Sequence, residues 1–115
     1  MIKHIKKEIT FDDFSKVDIR IGTIIAVKDF KEAIKPAYKL QIDFGMLGNK
    51  KTSAQITTLY QKEDLLHKQV LAVVNFKPKQ IANFMSECLI LGIQEGKDVT
   101  LLQSENLVKN GSVVN

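Results

Sequence analysis

From Val17 onward the chain alternates with a period of two. Val17, Ile19, Ile21, Ile25 and Val27 fall on one face and Asp18, Arg20 and Lys28 on the other, the pattern of a half-buried strand. Gly22 lies inside this run, where a missing side chain predicts a bulge or sharp bend. A second alternation sets Tyr38, Leu40, Ile42 and Phe44 against Lys39, Gln41 and Asp43, which leaves KDFKEAIKP as the connection. Gly45 and the Gly48-Asn49 pair then turn the chain into a third strand, KTSAQI (51–56). TTLYQKEDLLHK (57–68) loses the two-residue period and reads as helical. KQVLAVVNF (68–76) predicts a fourth strand and SECLILGIQ (86–94) a fifth; VTLLQS (99–104) follows a turn at Glu95-Gly96-Lys97-Asp98 as a short sixth. Ahead of these strands, Thr10 is placed to cap a short helix over FDDFSK, with Asp13 as the reciprocal capping partner and Ile9 and Phe14 at staple spacing.

Three strands, a helix and then two more strands is the order of the oligonucleotide/oligosaccharide-binding (OB) barrel, and a bent first strand suits it. The expected fold is all-β with short helices: a five-stranded Greek-key barrel over about residues 17–104, with extensions at both ends. At 115 residues the chain has room for one such domain and one core.

Composition narrows the class further. With 44% apolar and 26% charged residues the chain is an ordinary globular protein. MIKHIKKEITF is basic but has neither the apolar run nor the cleavage site of a signal peptide, and no later segment is long enough for a membrane span. Together with a single cysteine, Cys88, this predicts a cytoplasmic protein without membrane insertion. The net charge of +4 is unevenly spread. Residues 1–51 carry eleven Lys/Arg against seven Asp/Glu, whereas 52–115 carry six of each, so the excess that would attract an anionic partner lies in the first half.

Catalytic chemistry finds little support. His4, His67 and Cys88 lack the close spacing of a zinc motif. Cys88 sits in an apolar run, as a small core side chain does. Asp12-Asp13 and Glu63-Asp64 fall in the first turns of the expected helices, where carboxylates favour the helix dipole. Gly45 and Gly48 turn between strands and open no phosphate-binding helix. Asn110-Gly111-Ser112 reads as a tight turn. The expectation is a binding protein, with no enzyme activity, cofactor or metal.

The segments VDIRIGTI (17–24), KPAYKLQIDFG (35–45), SAQIT (53–57) and VVNFKPKQIANFMSECLILG (73–92) closely resemble the CsaA type of small bacterial and archaeal chaperone, implicated in protein export, from about Phe11 to Val114. That type is similar in turn to the tRNA-binding domain at the C-terminus of many methionyl-tRNA synthetases. The resemblance implies an OB barrel whose terminal extensions build a homodimer, pockets for unfolded or exported polypeptides, and tRNA binding; a dedicated tRNA-binding factor is the alternative. The apolar ends, Ile2, Ile5, Ile9 and Leu107, Val108, Val113, Val114, suit a dimer. Two positions depart from the CsaA pattern: Lys77 replaces a proline and Asn83 a glycine. Lys77 brings Asn75-Phe76-Lys77-Pro78 closer to the tRNA-binding domains.

The stretch after the fourth strand, KPKQIANFMS (77–86), mixes lysines with bulky apolar residues. A groove for varied polypeptides needs adaptable apolar side chains. Phe76, Ile81, Phe84 and Met85 are the candidates, although alternation also assigns Phe76 to the core, and Phe84 and Met85 fit either core or surface. The candidates for RNA are Lys31 and Lys35 in the connection after the first strand, Lys77 and Lys79 as phosphate contacts, Asn83, Ser86, and Arg20. Arg20 either pairs with Asp18 or Asp43 or faces the groove; Ser86 either caps a strand or, by resemblance, lies at the RNA site.

Overall fold

The computed structural model describes residues 4–115, so Ile2 lies outside the described residues. Among them, ten strands and three helical turns follow in order: α1 (Phe11–Ser15), β1 (Ile19–Asp29), β2 (Tyr38–Asp43), a 3-10 turn (Gly45–Leu47), β3 (Asn49–Ala54), α2 (Lys62–Leu65), β4 (Gln69–Val73), β5 (Lys79–Ile81), β6 (Phe84–Ser86), β7 (Leu89–Ile90), β8 (Gly92–Glu95), β9 (Asp98–Leu101) and β10 (Val113–Val114). No described helix is long and apolar enough to cross a membrane. The expected capping box is present: Asp13 N–H donates to Thr10 Oγ1 and Thr10 N–H to Asp13 Oδ2.

The main sheet runs β3-β2-β1-β4-β7, all antiparallel. It curls until its ends meet, because Glu87 N–H donates to Lys51 O at 2.7 Å and the Thr52 hydroxyl to Cys88 O at 2.7 Å. This is the OB barrel. Leu65 of α2 is completely buried in the core, with Ile24, Tyr38, Leu40, Ile42, Phe44, Ile56, Val70, Ala72, Cys88 and Leu101.

β1 differs from its sequence pattern. Its first half pairs with β4 and, at the very start, with β10, while its second half pairs with β2. A bulge between Ile24 and Ala26 inserts an extra residue, so alternation cannot hold along the whole strand. Ile24 and Val27 pack in or against the core, whereas Ile25 is pushed outward. Ile21 is buried outside that core, beneath the C-terminal segment: its N–H donates to Ser112 O and its carbonyl accepts from Gly111 N–H. Gly22, expected to be the bulge itself, has another role. A Cβ there would lie 2.5 Å from Ile42 Cγ2 and 2.7 Å from the Phe44 ring, so the glycine is the space that Phe44 fills.

Other elements are shorter than the pattern predicts. The helical reading of 57–68 contracts to the single turn α2, and the fourth strand stops at Val73, beyond which Asn75 turns the chain. Asn75 Oδ1 accepts from Asp18 N–H and its Nδ2 donates to Lys16 O. The run 86–94 divides into β7, which closes the barrel, and β8, which leaves to pair with β9. After β9 the chain returns along the barrel, held by Gln69, which accepts from Val108 N–H through Oε1 and donates to Val108 O through Nε2.

Gly22→Ala is expected to destabilise the fold by about 1–3 kcal/mol, the usual cost of overpacking. Urea unfolding of the two proteins measures it; equal midpoints would show that the Phe44 ring yields without cost.

Candidate polypeptide and nucleic-acid interface

The segment after β4 folds into a feature that the strand pattern does not reveal. β5 and β6 form a hairpin of their own, pairing Lys79 with Ser86, Gln80 with Met85 and Ile81 with Phe84. Ala82 at its tip takes φ 52°, a left-handed conformation more natural to glycine, and Asn83 completes the two-residue loop. In so short a strand alternate side chains point opposite ways. Met85 is exposed at 42%, while Phe84 and Ser86 are half-buried on the other side.

Ser86 anchors the hairpin. Its Oγ accepts from Ser53 N–H at 3.3 Å and lies 3.1 Å from Thr52 Oγ1. Thr52 Oγ1 in turn donates to Cys88 O at 2.7 Å. Phe84 is thereby held against the outer face of β2 and β3. Its ring meets Phe30 edge-on at 5.5 Å, Lys39 Nζ lies 4.9 Å from the Phe30 centroid and 5.7 Å from that of Phe84, and Lys51 Nζ is 5.6 Å from Phe84. Lys39 also approaches Glu32 Oε1 at 3.7 Å.

Beside this cationic face lies a cleft of about 1030 Å³. Its walls are the β1–β2 loop, the end of β3, the tip of the β5–β6 hairpin and the β8–β9 hairpin, and they are largely apolar, with Ala33, Ile34, Ala54, Ile56, Ile81, Leu89, Val99 and Leu101. Lys35 and Lys97 also line it.

The residues singled out from sequence are dispersed over this surface. Ile81 and Lys35 line the cleft, and Phe84 reaches it through Phe30. Lys31, Lys77, Lys79 and Asn83 are exposed, and none of them belongs to an ion pair among the described residues. Phe76 is 57% exposed, not core as alternation assigns it, because β4 has ended three residues earlier. Neither Phe76 nor Met85 lines the cleft. Arg20 takes the pairing alternative: Nε donates to Asp18 Oδ1 at 2.6 Å, Nη2 to Asp18 Oδ2, and Nη1 to Gly111 O at 3.0 Å. Asp43 instead accepts from Gly45 N–H. Sequence patterning does not single out Lys39, Lys51 or Phe30. The two lysines look like the solvated face of a strand, and only the position of Phe84 distinguishes them.

A family model described as a putative tRNA binding domain matches residues 19–113. The chain belongs to that family. Within it, the CsaA resemblance holds. The chaperone CsaA from Bacillus anthracis str. Ames superposes with a TM-score of 0.90 at 49% identity, covering 95% of this chain and 100% of the other. CsaA from Picrophilus torridus gives 0.88 and 54%, with 94% and 100% covered. The methionine–tRNA ligase of Pyrococcus horikoshii is 36% identical over 106 residues, 92% of this chain but 14% of the ligase. This tRNA-binding-type domain thus spans a small fraction of the synthetases it matches.

Among the described residues of this CsaA-type domain, no three His, Cys, Asp or Glu side chains gather as a metal site would require. Burial pushes the Cys88 thiol up from 9.0 to about 11, against a smaller downward pull from the Thr52 hydroxyl, so at neutral pH it is a protonated core side chain and no nucleophile. The folded value lies above the unfolded one, so the stabilisation is complete below pH 9 and is lost as pH rises toward 11. Denaturant midpoints at pH 8 and pH 10.5 should show the parent losing about 2 kcal/mol more than Cys88→Ala. Equal losses would mean that the thiol does not carry this dependence.

Proposed function

We propose that this chain is a homodimeric chaperone of the CsaA type, working in the cytoplasm on unfolded or exported polypeptides, and that it also binds tRNA. The observation that carries the reading is the apolar cleft of about 1030 Å³ set against a face of lysines. Apolar burial is indifferent to sequence, which suits varied clients. Ile34 and Leu89 offer exposed apolar surface within the cleft and Ile81 lines it, with Phe76 and Met85 as further contacts outside it. The full coverage of two CsaA chains supports the reading.

The tRNA component rests on charge. Lys31, Lys35, Lys77 and Lys79 are exposed and free of ion pairs among the described residues, and the family model and the synthetase match point the same way. Asn83 and Ser86 lie within the hairpin that carries Lys79, at its tip and opposite that lysine, and Arg20 sets the extension beside β1 rather than offering a free cation. The alternative of a dedicated tRNA-binding factor is favoured by one observation: Lys77 adds an exposed cation at the β4–β5 turn.

The dimer reading rests on apolar surface at the two ends. Ile5, Ile9, Phe11, Leu107, Val108 and Val113 are all exposed, an arrangement that a second copy would cover by presenting the same patch. Light scattering at micromolar concentration should return twice the 13.0 kDa of one chain; a monomer would remove this part of the reading.

The two ligands separate by variant. Ile34→Asp and Leu89→Asp, both at exposed positions, should each weaken capture of an unfolded reporter by about 1 kcal/mol or more and leave tRNA affinity near the parent value. Lys77→Ala with Lys79→Ala should do the reverse and lower the slope of log affinity against log salt by about one for each phosphate no longer neutralised. Undiminished reporter capture by both aspartate variants would refute the chaperone reading in favour of the tRNA factor.

A further inference from the structure

We infer that Phe84 is a positioning residue for RNA, whose ring gathers Lys39 and Lys51 into a two-cation phosphate clamp on the outer face of β2 and β3. The inference rests on the tRNA component of the proposed function and deepens it.

Register comes first. Lys39 pairs with Ser53 and Gln41 with Lys51, so the two lysines stand diagonally on one face of the barrel. Two long cationic side chains so placed repel one another, and on an open strand surface they would splay into water. Here both ammonium groups lie within 6 Å of the Phe84 centroid, at 5.7 and 5.6 Å, the range in which the ring quadrupole attracts a cation. Phe30, buried beneath, adds a second ring for Lys39 at 4.9 Å. The ring therefore offsets the repulsion and fixes where the charges stand. An ammonium group over a ring keeps its N–H donors for another acceptor, since the ring takes none of them as a conventional hydrogen bond.

The ring itself is rigid for a reason that lies two residues away. Ser86, on the same side of β6, is tied to Ser53 N–H and Thr52 Oγ1, and the edge of Phe30 stops the ring from moving inward. A base-stacking platform or a peptide anchor needs an uncovered face. Phe84 is half-buried, with a phenyl ring and two ammonium groups already around it, whereas exposed apolar contacts are supplied elsewhere by Ile34, Leu89 and Met85. Glu32, 3.7 Å from Lys39 Nζ, stands where a phosphate would approach, and its carboxylate is the group that RNA would displace.

The test titrates unmodified tRNA against the full chain between 50 and 300 mM KCl for the parent, Phe84→Leu, Phe84→Tyr, Lys51→Met and the Phe84→Leu/Lys51→Met pair, each first shown to melt like the parent. Phe84→Leu keeps apolar bulk and removes the ring. It should lower the log–log salt slope by about one and the affinity at 100 mM about threefold to tenfold. Phe84→Tyr should restore both, and the double variant should lose little more than Lys51→Met alone. In the free parent the ε-methylene protons of Lys39 and Lys51 should be shifted upfield by the ring current and return to ordinary positions in Phe84→Leu. A parent that binds tRNA with a steep salt slope which Phe84→Leu leaves unchanged overturns the clamp alone, whether or not affinity falls, because a uniform loss at all salt concentrations is the mark of base stacking. Absence of the upfield shifts in the parent overturns it as well. A parent that binds no tRNA overturns the tRNA component and the clamp together.

Discussion

A single buried hydroxyl joins the barrel to the hairpin that borders the candidate site. Thr52 is 1% exposed in the middle of β3. It donates to the Cys88 carbonyl at the seam where the sheet closes, and its oxygen lies 3.1 Å from the Ser86 hydroxyl of the hairpin. Burial of a polar group is costly unless it is bonded, so the low-dielectric core enforces both contacts at once. Opening the seam would leave that hydroxyl only the Ser53 carbonyl of its own strand, at 3.2 Å, and lifting the hairpin would surrender Ser86. The Phe84 ring, with the two lysines around it, stands on a hairpin anchored at this buried contact.

The same outer region holds an apolar cleft and a face of lysines, which draw on different physics. Apolar area in the cleft acts over contact distance and is almost blind to salt. The lysines act over about a Debye length and are screened by it. The cleft and the lysine face meet along Phe30, which contributes to both, so a group filling one would change the surroundings of the other.

Much of the architecture was legible because alternation is a direct projection of burial. Tyr38, Leu40 and Ile42 are buried as their spacing foretold, and the capping box at Thr10 needed only local geometry. Alternation failed where the chain departs from a regular ladder. The bulge after Ile24 reverses parity, and Ile21 is covered by a segment some ninety residues away, which no local pattern encodes. The β5–β6 hairpin was hidden because its turn uses Ala82 in a left-handed conformation, where turn chemistry would lead one to look for glycine. Among the candidate residues, Lys31, Lys35, Lys77 and Lys79 stand out in the sequence as charge beside loops. Lys39 and Lys51 do not, since their distinction comes from an aromatic ring on another strand. Phe76 was assigned inward by a period that had already ended.

The C-terminal segment contains Asn110-Gly111, a pair that in a flexible chain ages chemically: the glycine nitrogen attacks the asparagine side-chain carbonyl, ammonia leaves, and hydrolysis of the ring yields an acidic or isomerised backbone. In this fold both reactants are restrained. The Asn110 side-chain oxygen accepts from Thr23 Oγ1 at 2.8 Å and from Gln69 Nε2 at 3.1 Å, and the Gly111 N–H is committed to Ile21 O at 2.7 Å. The nitrogen that would attack is bonded to β1, and the amide that would receive it is held by side chains of β1 and β4. The contacts that hold the extension along β1 therefore also act as its preservative, and a chain that lets this segment detach starts a chemical clock that the intact fold keeps stopped.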